Sequence, residues 1–261
     1  MHGTQQDVHQ LVQHFRISGY AVIDGFAPAE KIDAMWAEYR PLLEQEIARD
    51  DPESRERADR LGRYGVQFPW RPPFDDPAIV EHPTLLSFLE KLWGSDDFLF
   101  TWTRCDTPIL GSGYQRWHRD IALEVEAPYP DRYIPPPVIG AKLPLVDIVE
   151  ENGSPEVAAC TQFMPHPETS TPYFDAEMLE DAGVPSRRLN LTKGSLWILD
   201  PRTIHRGTPN RTSTPRPLAT LVYHITGFTH PHNVEMTRSN FDRLSDRGKR
   251  LLRNCKISDS S

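Results

Sequence analysis

The sequence predicts an α+β fold, with helices first along the chain and short strands after them. Before residue 97, apolar residues recur at the spacing of amphipathic helices. From residue 98, short runs rich in β-branched and aromatic residues alternate with turns that contain Gly, Pro and Asn. The sequence also has no GxGxxG, GxxxxGKS/T or GxSxG motif. We therefore expect helices packed on an antiparallel sheet or barrel rather than a parallel nucleotide-binding sheet.

Three amphipathic helices are predicted in the first 97 residues. In the first of them, Val8, Leu11, Val12 and Phe15 follow the i, i+3, i+4, i+7 spacing of one helix face. The helices are expected over residues 5–18, 28–43 and 83–93, and a short strand over 20–23 follows the first helix. Residues 48–62 are highly charged, which indicates a solvated connection or a helical lid.

The rest of the chain is predicted to form the sheet. Strands are expected over residues 98–105, 139–149, 155–159, 195–200 and 217–226, and a basic helix over 237–254. The length favours a single domain over residues 1–261. Within it, we assign 1–97 to helical support and a possible lid, 98–230 to the barrel core and 231–261 to a C-terminal helix and tail.

The composition excludes several classes of function. With 29 Lys and Arg against 37 Asp and Glu, the net charge of -8 argues against nucleic-acid binding. No apolar run approaches the ~18 residues of a membrane helix, and the N-terminus has no signal peptide, so we expect a cytoplasmic protein. The three cysteines form no CxxC pair, which argues against a thiolate zinc site. The 25 prolines indicate stiff loops.

Two histidines and one carboxylate in the strand-rich region form a candidate metal site. His118 and Asp120 are two residues apart, which places both side chains on one side of an extended segment. His205 follows the apolar run 196–199. Two imidazoles and one carboxylate leave three coordination positions open, as in the non-heme Fe(II) sites that activate oxygen. A bidentate 2-oxo acid and O2 would fit these positions.

Two cationic residues are candidates for binding an anion. Arg216 comes eleven residues after His205, at the start of the predicted strand 217–226. Its guanidinium is suited to bind a carboxylate bidentately, such as the far carboxylate of 2-oxoglutarate. Lys142 lies within the apolar run 138–146. An ammonium group there must either reach an edge of the sheet or meet an anion, and both alternatives stay open at this point.

The sequence resembles the phytanoyl-CoA dioxygenase (PhyH-like) family of Fe(II)/2-oxoglutarate-dependent oxygenases, from the opening helix to about residue 252. The matching stretches are 18–26 (SGYAVIDGF), 115–120 (QRWHRD), 144–153 (PLVDIVEENG), 193–199 (KGSLWIL) and 205–216. The resemblance implies a double-stranded β-helix, a jelly-roll or cupin-like barrel with flanking N-terminal helices. It implies Fe(II) held by His118, Asp120 and His205, and 2-oxoglutarate held by Arg216. Lys142, which falls where relatives contact 2-oxoglutarate from the barrel wall, and Trp102 are further candidates for binding 2-oxoglutarate, and a contact of Lys142 with substrate or a place at the sheet edge stays open.

The activity that the resemblance implies is oxidation of an unactivated C–H bond in a small soluble molecule. The expected reaction is a hydroxylation in secondary metabolism, which consumes 2-oxoglutarate and O2 and releases succinate and CO2. Asp120 stands where halogenating relatives have Gly or Ala, which favours hydroxylation, dehydrogenation or ring chemistry over halogenation. Two alternatives remain: a cupin-like metal enzyme that does not use 2-oxoglutarate, as an isomerase or an O2-only oxygenase, and a non-catalytic small-molecule-binding barrel.

Substrate contacts are predicted from two further segments. Arg63 and Gln67 belong to a stretch rich in aromatic, guanidinium and amide groups, which we interpret as a substrate lid. Arg104, Gln115 and Trp117 flank the first metal-ligand segment, where they would orient the substrate. Structural hydrogen bonding for the polar pair and core packing for Trp117 are the competing interpretations.

Overall fold

The computed structural model describes residues 7–51, 53, 60–121, 133–165 and 172–258. Long helices precede residue 94 and most strands follow residue 97, so the predicted α+β class is confirmed. The helices are α1 (Val8–Ser18), α2 (Ala29–Ala48), α3 (Pro77–Val80), α4 (Pro83–Trp93), α5 (Ala176–Asp181), α6 (Arg238–Asp242) and α7 (Asp246–Leu251), and a 3-10 turn covers Glu150–Asn152.

The strands are mostly short. They are β1 (Tyr20–Ile23), β2 (Arg63–Gln67), β3 (Phe98–Pro108), β4 (Trp117–His118), β5 (Val138–Pro144), β6 (Glu156–Ala158), β7 (Tyr173–Phe174), β8 (Ser186–Arg188), β9 (Leu196–Leu199), β10 (His205–Arg206), β11 (Leu218–Ile225), β12 (Glu235–Thr237) and β13 (Lys256–Ser258).

Two antiparallel sheets form the jelly-roll part of the fold. The larger sheet has the strand order β1-β9-β5-β11-β3-β2, and the smaller has the order β7-β4-β10-β6-β8. Across the residues described, hydrogen bonding does not close the two sheets into a barrel. Residues of both sheets line one cavity. The predicted jelly-roll architecture is therefore confirmed, although its two sheets are not joined into a closed barrel in the described residues. A short parallel pair, β12 and β13, lies apart from both sheets.

The N-terminal helices pack on the large sheet and fix its position. Phe15 of α1 meets Phe88 of α4 edge to face, with 5.3 Å between ring centroids, and both rings are buried. The hydroxyl of Tyr39 in α2 lies 3.2 Å from the Cys105 carbonyl and 2.8 Å from the Thr107 hydroxyl, both in β3. These contacts bury the apolar helix faces that the sequence pattern predicts, and they hold α2 against the strand that forms one wall of the cavity.

Several elements differ from the expectations. Residues 63–67, which belong to the stretch interpreted as a substrate lid, form the strand β2 at the edge of the large sheet, and their mixed polar pattern did not predict a strand. The basic helix expected over 237–254 is interrupted, because the Ser245 hydroxyl accepts a hydrogen bond from the Gly248 N–H and so caps a new helix. The lid expected over 48–62 lies partly outside the described residues.

In the part of the chain that the structure describes, no helix is both long enough and apolar enough to cross a membrane. Even the longest helix, α2, is too polar to span a bilayer. This agrees with the sequence, which has no long apolar run.

Gly194 offers a test of how closely the sheet approaches the start of α2. It has a φ of 78°, and a Cβ there would lie 2.4 Å from the Ala27 carbonyl oxygen. We expect Gly194→Ala to lower the free energy of unfolding by about 2–5 kcal/mol, which combines left-handed strain of about 1–2 kcal/mol with overpacking of about 1–3 kcal/mol. The measurement is urea unfolding followed by circular dichroism.

Gly183 is the matched control. It also has a positive φ, 65°, but a Cβ there would meet nothing within 4 Å. Gly183→Ala should therefore cost only the backbone strain of about 1–2 kcal/mol. Equal losses for the two variants would contradict the close approach at Gly194.

Candidate metal and cosubstrate site

The predicted metal ligands come together at the centre of the smaller sheet. β4 and β10 are antiparallel neighbours, and their register pairs His205 with His118. Asp120 follows β4, and its Oδ1 lies 3.7 Å from Nε2 of His118 and 3.6 Å from Nε2 of His205. One donor atom from each of the three residues lies within 4.8 Å of the other two. This spacing is suited to a single metal ion bound between two imidazoles and a carboxylate.

The backbone orients both imidazole rings. Nδ1 of His118 lies 2.9 Å from the Arg116 carbonyl oxygen, and Nδ1 of His205 lies 2.9 Å from the Thr203 carbonyl oxygen. A carbonyl oxygen only accepts, so each Nδ1 carries the proton when the ring is neutral. Nε2 of each ring then keeps its lone pair and faces Asp120. Such partners behind a ligand fix the tautomer and the ring orientation that metal binding needs.

The protonation states of His205 and Asp120 suit a metal ion. Burial lowers the pKa of His205 to about 3, since it outweighs the attraction of the Asp120 carboxylate. Burial alone would raise the pKa of Asp120, but Lys142, His205 and His118 outweigh it and hold this pKa well below its usual range. At neutral pH the site therefore presents a neutral His205 and an ionised carboxylate, which are the forms that bind metal.

Lys142 lies on the opposite wall, inside the large sheet. It belongs to β5, which has β9 and β11 on either side, so it is not an edge lysine. Its Nζ lies 3.7 Å from Oδ2 of Asp120 and 5.5 Å from the ring centroid of Trp197. The side chain is only 13% exposed. The ammonium group thus faces the candidate metal site and compensates part of its negative charge.

Arg216 is a buried cation with unmet hydrogen-bond donors within the described residues. It is 3% exposed, and among the residues that the structure describes neither its Nε nor its Nη1 has a hydrogen-bond partner. Burial lowers the pKa of Arg216 to about 9, so the guanidinium stays charged at neutral pH. A buried charge with unmet donors is costly unless an anion binds. The residues therefore fit 2-oxoglutarate, whose far carboxylate would satisfy both nitrogens.

The loop between β10 and β11 holds Arg216 in place. The Asn210 side chain donates to the carbonyls of Pro108 and Thr214 at 3.1 and 2.8 Å, and it accepts from the Thr212 N–H at 2.9 Å. The backbone N–H of Arg216 also donates to the Pro108 carbonyl at 3.1 Å. These bonds tie the end of β3 to the start of β11, and they give the spacing of eleven residues between His205 and Arg216 a structural basis.

A cavity of about 500 Å³ connects these groups. Nine of the predicted site residues line it, namely His118, Asp120, His205, Arg216, Lys142, Trp102, Arg63, Arg104 and Gln115. Gln67 and Trp117 do not line it. Gln67 is exposed at the end of β2. Trp117 is buried beneath the Arg206 guanidinium, which lies 4.3 Å from its ring centroid, in the apolar cluster with Phe174.

Strand β3 supplies one wall of the cavity through alternate residues. Trp102, Arg104 and Asp106 all face it, as the two-residue period of a strand requires. Nε of Arg104 donates to Asp106 at 3.0 Å, and the Trp102 ring stacks on His232 with 5.0 Å between centroids. Gly65 on β2 makes room for Arg104, since a Cβ there would lie 1.7 Å from its Nη2.

Two of the predicted polar residues also have structural bonds. Arg63 donates to the carbonyls of Gly113 and Thr208 at 2.6 and 2.7 Å. The Gln115 side chain accepts from the Gly207 N–H at 2.9 Å. Both residues therefore brace the loops at the cavity wall in addition to lining it.

Sequence reasoning missed Trp197 as a cavity residue. It is almost fully buried and lines the cavity beside Lys142 and His205, with its Nε1 lacking a hydrogen-bond partner within the described part of the chain. A tryptophan in an apolar strand is usually core, so its own pattern gave no signal. The pairing of Trp197 with Lys142 across β9 and β5 does place the two side chains on the same face.

Comparisons with known proteins find one matching family model and several solved structures with a similar fold. The family model described as Phytanoyl-CoA dioxygenase (PhyH) matches residues 15–218. The epimerase SnoN, solved in complex with Fe3+, alpha ketoglutarate and nogalamycin RO, is similar with a TM-score of 0.60 and 17% identity over 92% of this chain and 96% of that chain. Searching the curated proteins finds no match.

Two further solved structures are similar at comparable levels. HygX from Streptomyces hygroscopicus, with nickel and 2-oxoglutarate bound, has a TM-score of 0.60 and 16% identity over 97% of this chain and 96% of that chain. AviO1 from Streptomyces viridochromogenes Tue57 has a TM-score of 0.61 and 15% identity over 87% of this chain and 99% of that chain. At these identities the likeness concerns the fold.

The buried charge of Arg216, with two unmet donors among the described residues, predicts that stability and ligand binding oppose each other. Without metal or 2-oxoglutarate, Arg216→Met should raise the free energy of unfolding by about 1–4 kcal/mol, because it removes a desolvated charge. With metal already present in both samples, added 2-oxoglutarate should raise the Tm of the wild type and leave that of the variant nearly unchanged. Urea unfolding and thermal melts measure the two effects.

Arg206→Met serves as the control, because Nε of Arg206 is paired with Glu156 at 2.8 Å. Removing this partner should destabilise the protein. A loss of stability in the Arg216 variant as well would argue that its guanidinium is already satisfied in the ligand-free protein.

Proposed function

Because the chain belongs to the phytanoyl-CoA dioxygenase family, we propose that it hydroxylates an unactivated C–H bond of a small molecule in secondary metabolism. The enzymes of this family use Fe(II), 2-oxoglutarate and O2. The proposed reaction converts the substrate C–H, 2-oxoglutarate and O2 into C–OH, succinate and CO2. One oxygen atom of O2 enters the hydroxyl group and the other enters succinate, so the atoms balance.

One observation carries the proposal. The cavity holds the converging donors of His118, Asp120 and His205 together with the buried guanidinium of Arg216, whose Nε and Nη1 have no hydrogen-bond partner among the described residues. A metal site alone would also suit a cupin-like isomerase or an O2-only oxygenase. The unmet donors of Arg216 favour an enzyme that binds a dicarboxylate cosubstrate, and they argue against a metal protein without 2-oxoglutarate or a vestigial binding barrel.

Each residue has a distinct role in this proposal. His118, Asp120 and His205 would hold Fe(II), which with 2-oxoglutarate and O2 supplies the oxidising chemistry. Arg216 would bind the far carboxylate of 2-oxoglutarate. Lys142 would keep Asp120 ionised and add a second cationic contact for the cosubstrate, since its Nζ lies 3.7 Å from Oδ2 of that residue.

The substrate would occupy the part of the cavity lined by β2, β3 and the segment before β4. Arg63, Arg104 and Gln115 supply polar groups there, and Trp102 adds an aromatic surface that could contact substrate or cosubstrate. We leave Gln67 and Trp117 out of the proposed substrate contacts because neither lines the cavity. The guanidinium of Arg104 is held by Asp106, so it would bind substrate through its remaining nitrogens.

Epimerisation or ring formation is a second candidate function at the same site. It is favoured by two similar structures, which are named as the epimerase SnoN and the carbocyclase SnoK from nogalamycin biosynthesis. Both would begin with the same C–H bond, held by the same walls of the cavity. They would differ from hydroxylation in that no oxygen atom enters the product. Ring formation would remove two hydrogen atoms from the substrate and release water, whereas epimerisation would replace the abstracted hydrogen atom and need an external two-electron reductant.

Anaerobic addition of Fe(II) and 2-oxoglutarate tests the cofactor assignment. The wild type should develop a weak visible charge-transfer band, and His205→Ala should abolish it because the variant loses one of three protein ligands. His224→Ala is the control, since His224 is an equally buried histidine outside the metal-binding group, with Nδ1 2.9 Å from the Ile225 carbonyl oxygen. No band in the wild type would refute the proposal.

Isotope labelling separates the two candidate reactions. For any small molecule whose addition increases succinate formation, hydroxylation under 18O2 should place one labelled oxygen atom in the product. Epimerisation or ring closure should leave the product unlabelled, while succinate carries the label in both cases. Mass spectrometry of product and succinate gives the answer, and an unlabelled product would contradict hydroxylation.

A further inference from the structure

A buried ion pair lies in the turn directly before His205. Asp200 and Arg202 are 0% and 3% exposed. Nε of Arg202 donates to Oδ1 of Asp200 at 2.9 Å, and Nη2 donates to Oδ2 at 2.6 Å, so the pairing is bidentate. The backbone N–H of Arg202 also donates to Oδ1 at 3.0 Å. Three bonds between residues two apart leave the turn little freedom.

The backbone of this turn contacts two of the three candidate metal ligands. The Pro201 carbonyl accepts the backbone N–H of Asp120 at 2.9 Å. The Thr203 carbonyl lies 2.9 Å from Nδ1 of His205. The turn that the ion pair closes therefore holds the backbone of Asp120, and with it the position of the carboxylate. It also holds the orientation of the His205 ring.

The turn is anchored on one side to the end of α1. The N–H of Asp200 and the hydroxyl of Thr203 both donate to the Gly19 carbonyl, at 2.9 and 3.0 Å. Gly19 has a φ of 79°, and a Cβ there would lie 2.1 Å from the Thr203 hydroxyl oxygen. The close approach explains the glycine at this position.

On its other side the turn holds the two flanks of the segment that follows Asp120. The Pro201 carbonyl accepts the N–H of Ile121 at 3.3 Å, and Nη1 of Arg202 donates to the Ile134 carbonyl at 3.0 Å. Residues 122–132 lie outside the described part of the chain. The turn thus contacts the chain on both sides of these residues, through the Pro201 carbonyl at Ile121 and through the Arg202 side chain at Ile134.

We propose that Asp200 and Arg202 are positioning residues, whose buried ion pair sets the separation and orientation of Asp120 and His205 for metal binding. The inference rests on the proposed function, because it assumes that these ligands hold a metal ion. A buried pair adds little net stability compared with apolar residues of the same shape. Its contribution here is geometric, since it closes a turn whose carbonyls contact both ligands.

Cobalt titration of the metal-free protein tests the inference without any turnover. The variants are Asp200→Asn, which keeps the shape and removes the charge, and Arg202→Lys, which keeps the charge and removes the bidentate bond and the bond to Ile134. We expect both to bind Co(II) about 10–100-fold more weakly than the wild type, the range seen when groups behind metal ligands are changed. Circular dichroism melts establish that each variant is folded at the titration temperature.

The double variant Asp200→Asn/Arg202→Met separates positioning from stability. It leaves no uncompensated buried charge, so it should recover much of the Tm that a single substitution loses. Its Co(II) affinity should stay low, because the turn is no longer closed. Recovery of Co(II) affinity together with Tm would show that the pair acts only through stability, and would overturn the inference.

Arg247→Met provides the matched control. It breaks a partly buried pair with Glu90, 2.8 Å long, which involves none of the cavity residues. It should lower the Tm and leave Co(II) affinity unchanged. If the wild type binds Co(II) and the folded Asp200 and Arg202 variants bind it with the same affinity, this inference alone is overturned. If the wild type binds no Co(II), the proposed function and this inference are overturned together.

Discussion

The candidate site depends on the register of two very short strands. β4 and β10 each have two residues, and their antiparallel pairing sets His118 directly opposite His205. The two rings therefore lie side by side, with 4.5 Å between centroids, and both Nε2 atoms face the Asp120 carboxylate. A shift of one residue would turn one imidazole to the other face of the sheet. β10 also pairs with β6, and β4 also pairs with β7. These neighbouring strands hold the register, so the position of the two histidines depends on the smaller sheet as a whole.

Charge inside the cavity complements that arrangement. The protein has a net charge of -8, yet Arg216 and Lys142 carry buried or nearly buried positive charge into the cavity between the sheets. Lys142 is compensated by Asp120, while Arg216 has unmet donors within the described structure. When a dianion such as 2-oxoglutarate binds, its attraction to that guanidinium would offset the free-energy cost of burying the charge. The fold thus keeps an interior cation available for a cosubstrate, at a cost in stability to the ligand-free protein.

Local patterns predicted the elements whose burial follows a simple period. The stripe that includes Phe15 became α1, and the run rich in aromatic and β-branched residues from residue 98 became β3. Trp117 shows how the two-residue period of a strand could have been used further: it is next to His118 in a strand, so its side chain must face away from the cavity. β2 was not predicted because a polar edge strand owes its form to the pairing with β3, which no local pattern records.

The sequence by itself determined the chemistry available at the site. Residue type and spacing identify His118, Asp120, His205 and Arg216 as a set, and the family follows from the motifs around them. Only the tertiary structure decided that Arg216 is buried with unmet donors, that Lys142 faces Asp120, and that one turn contacts two candidate ligands. The reason is physical: spacing along a strand fixes which way a side chain points. Separation between residues far apart in the chain depends on strand register and on turns, which form only when the sheets assemble.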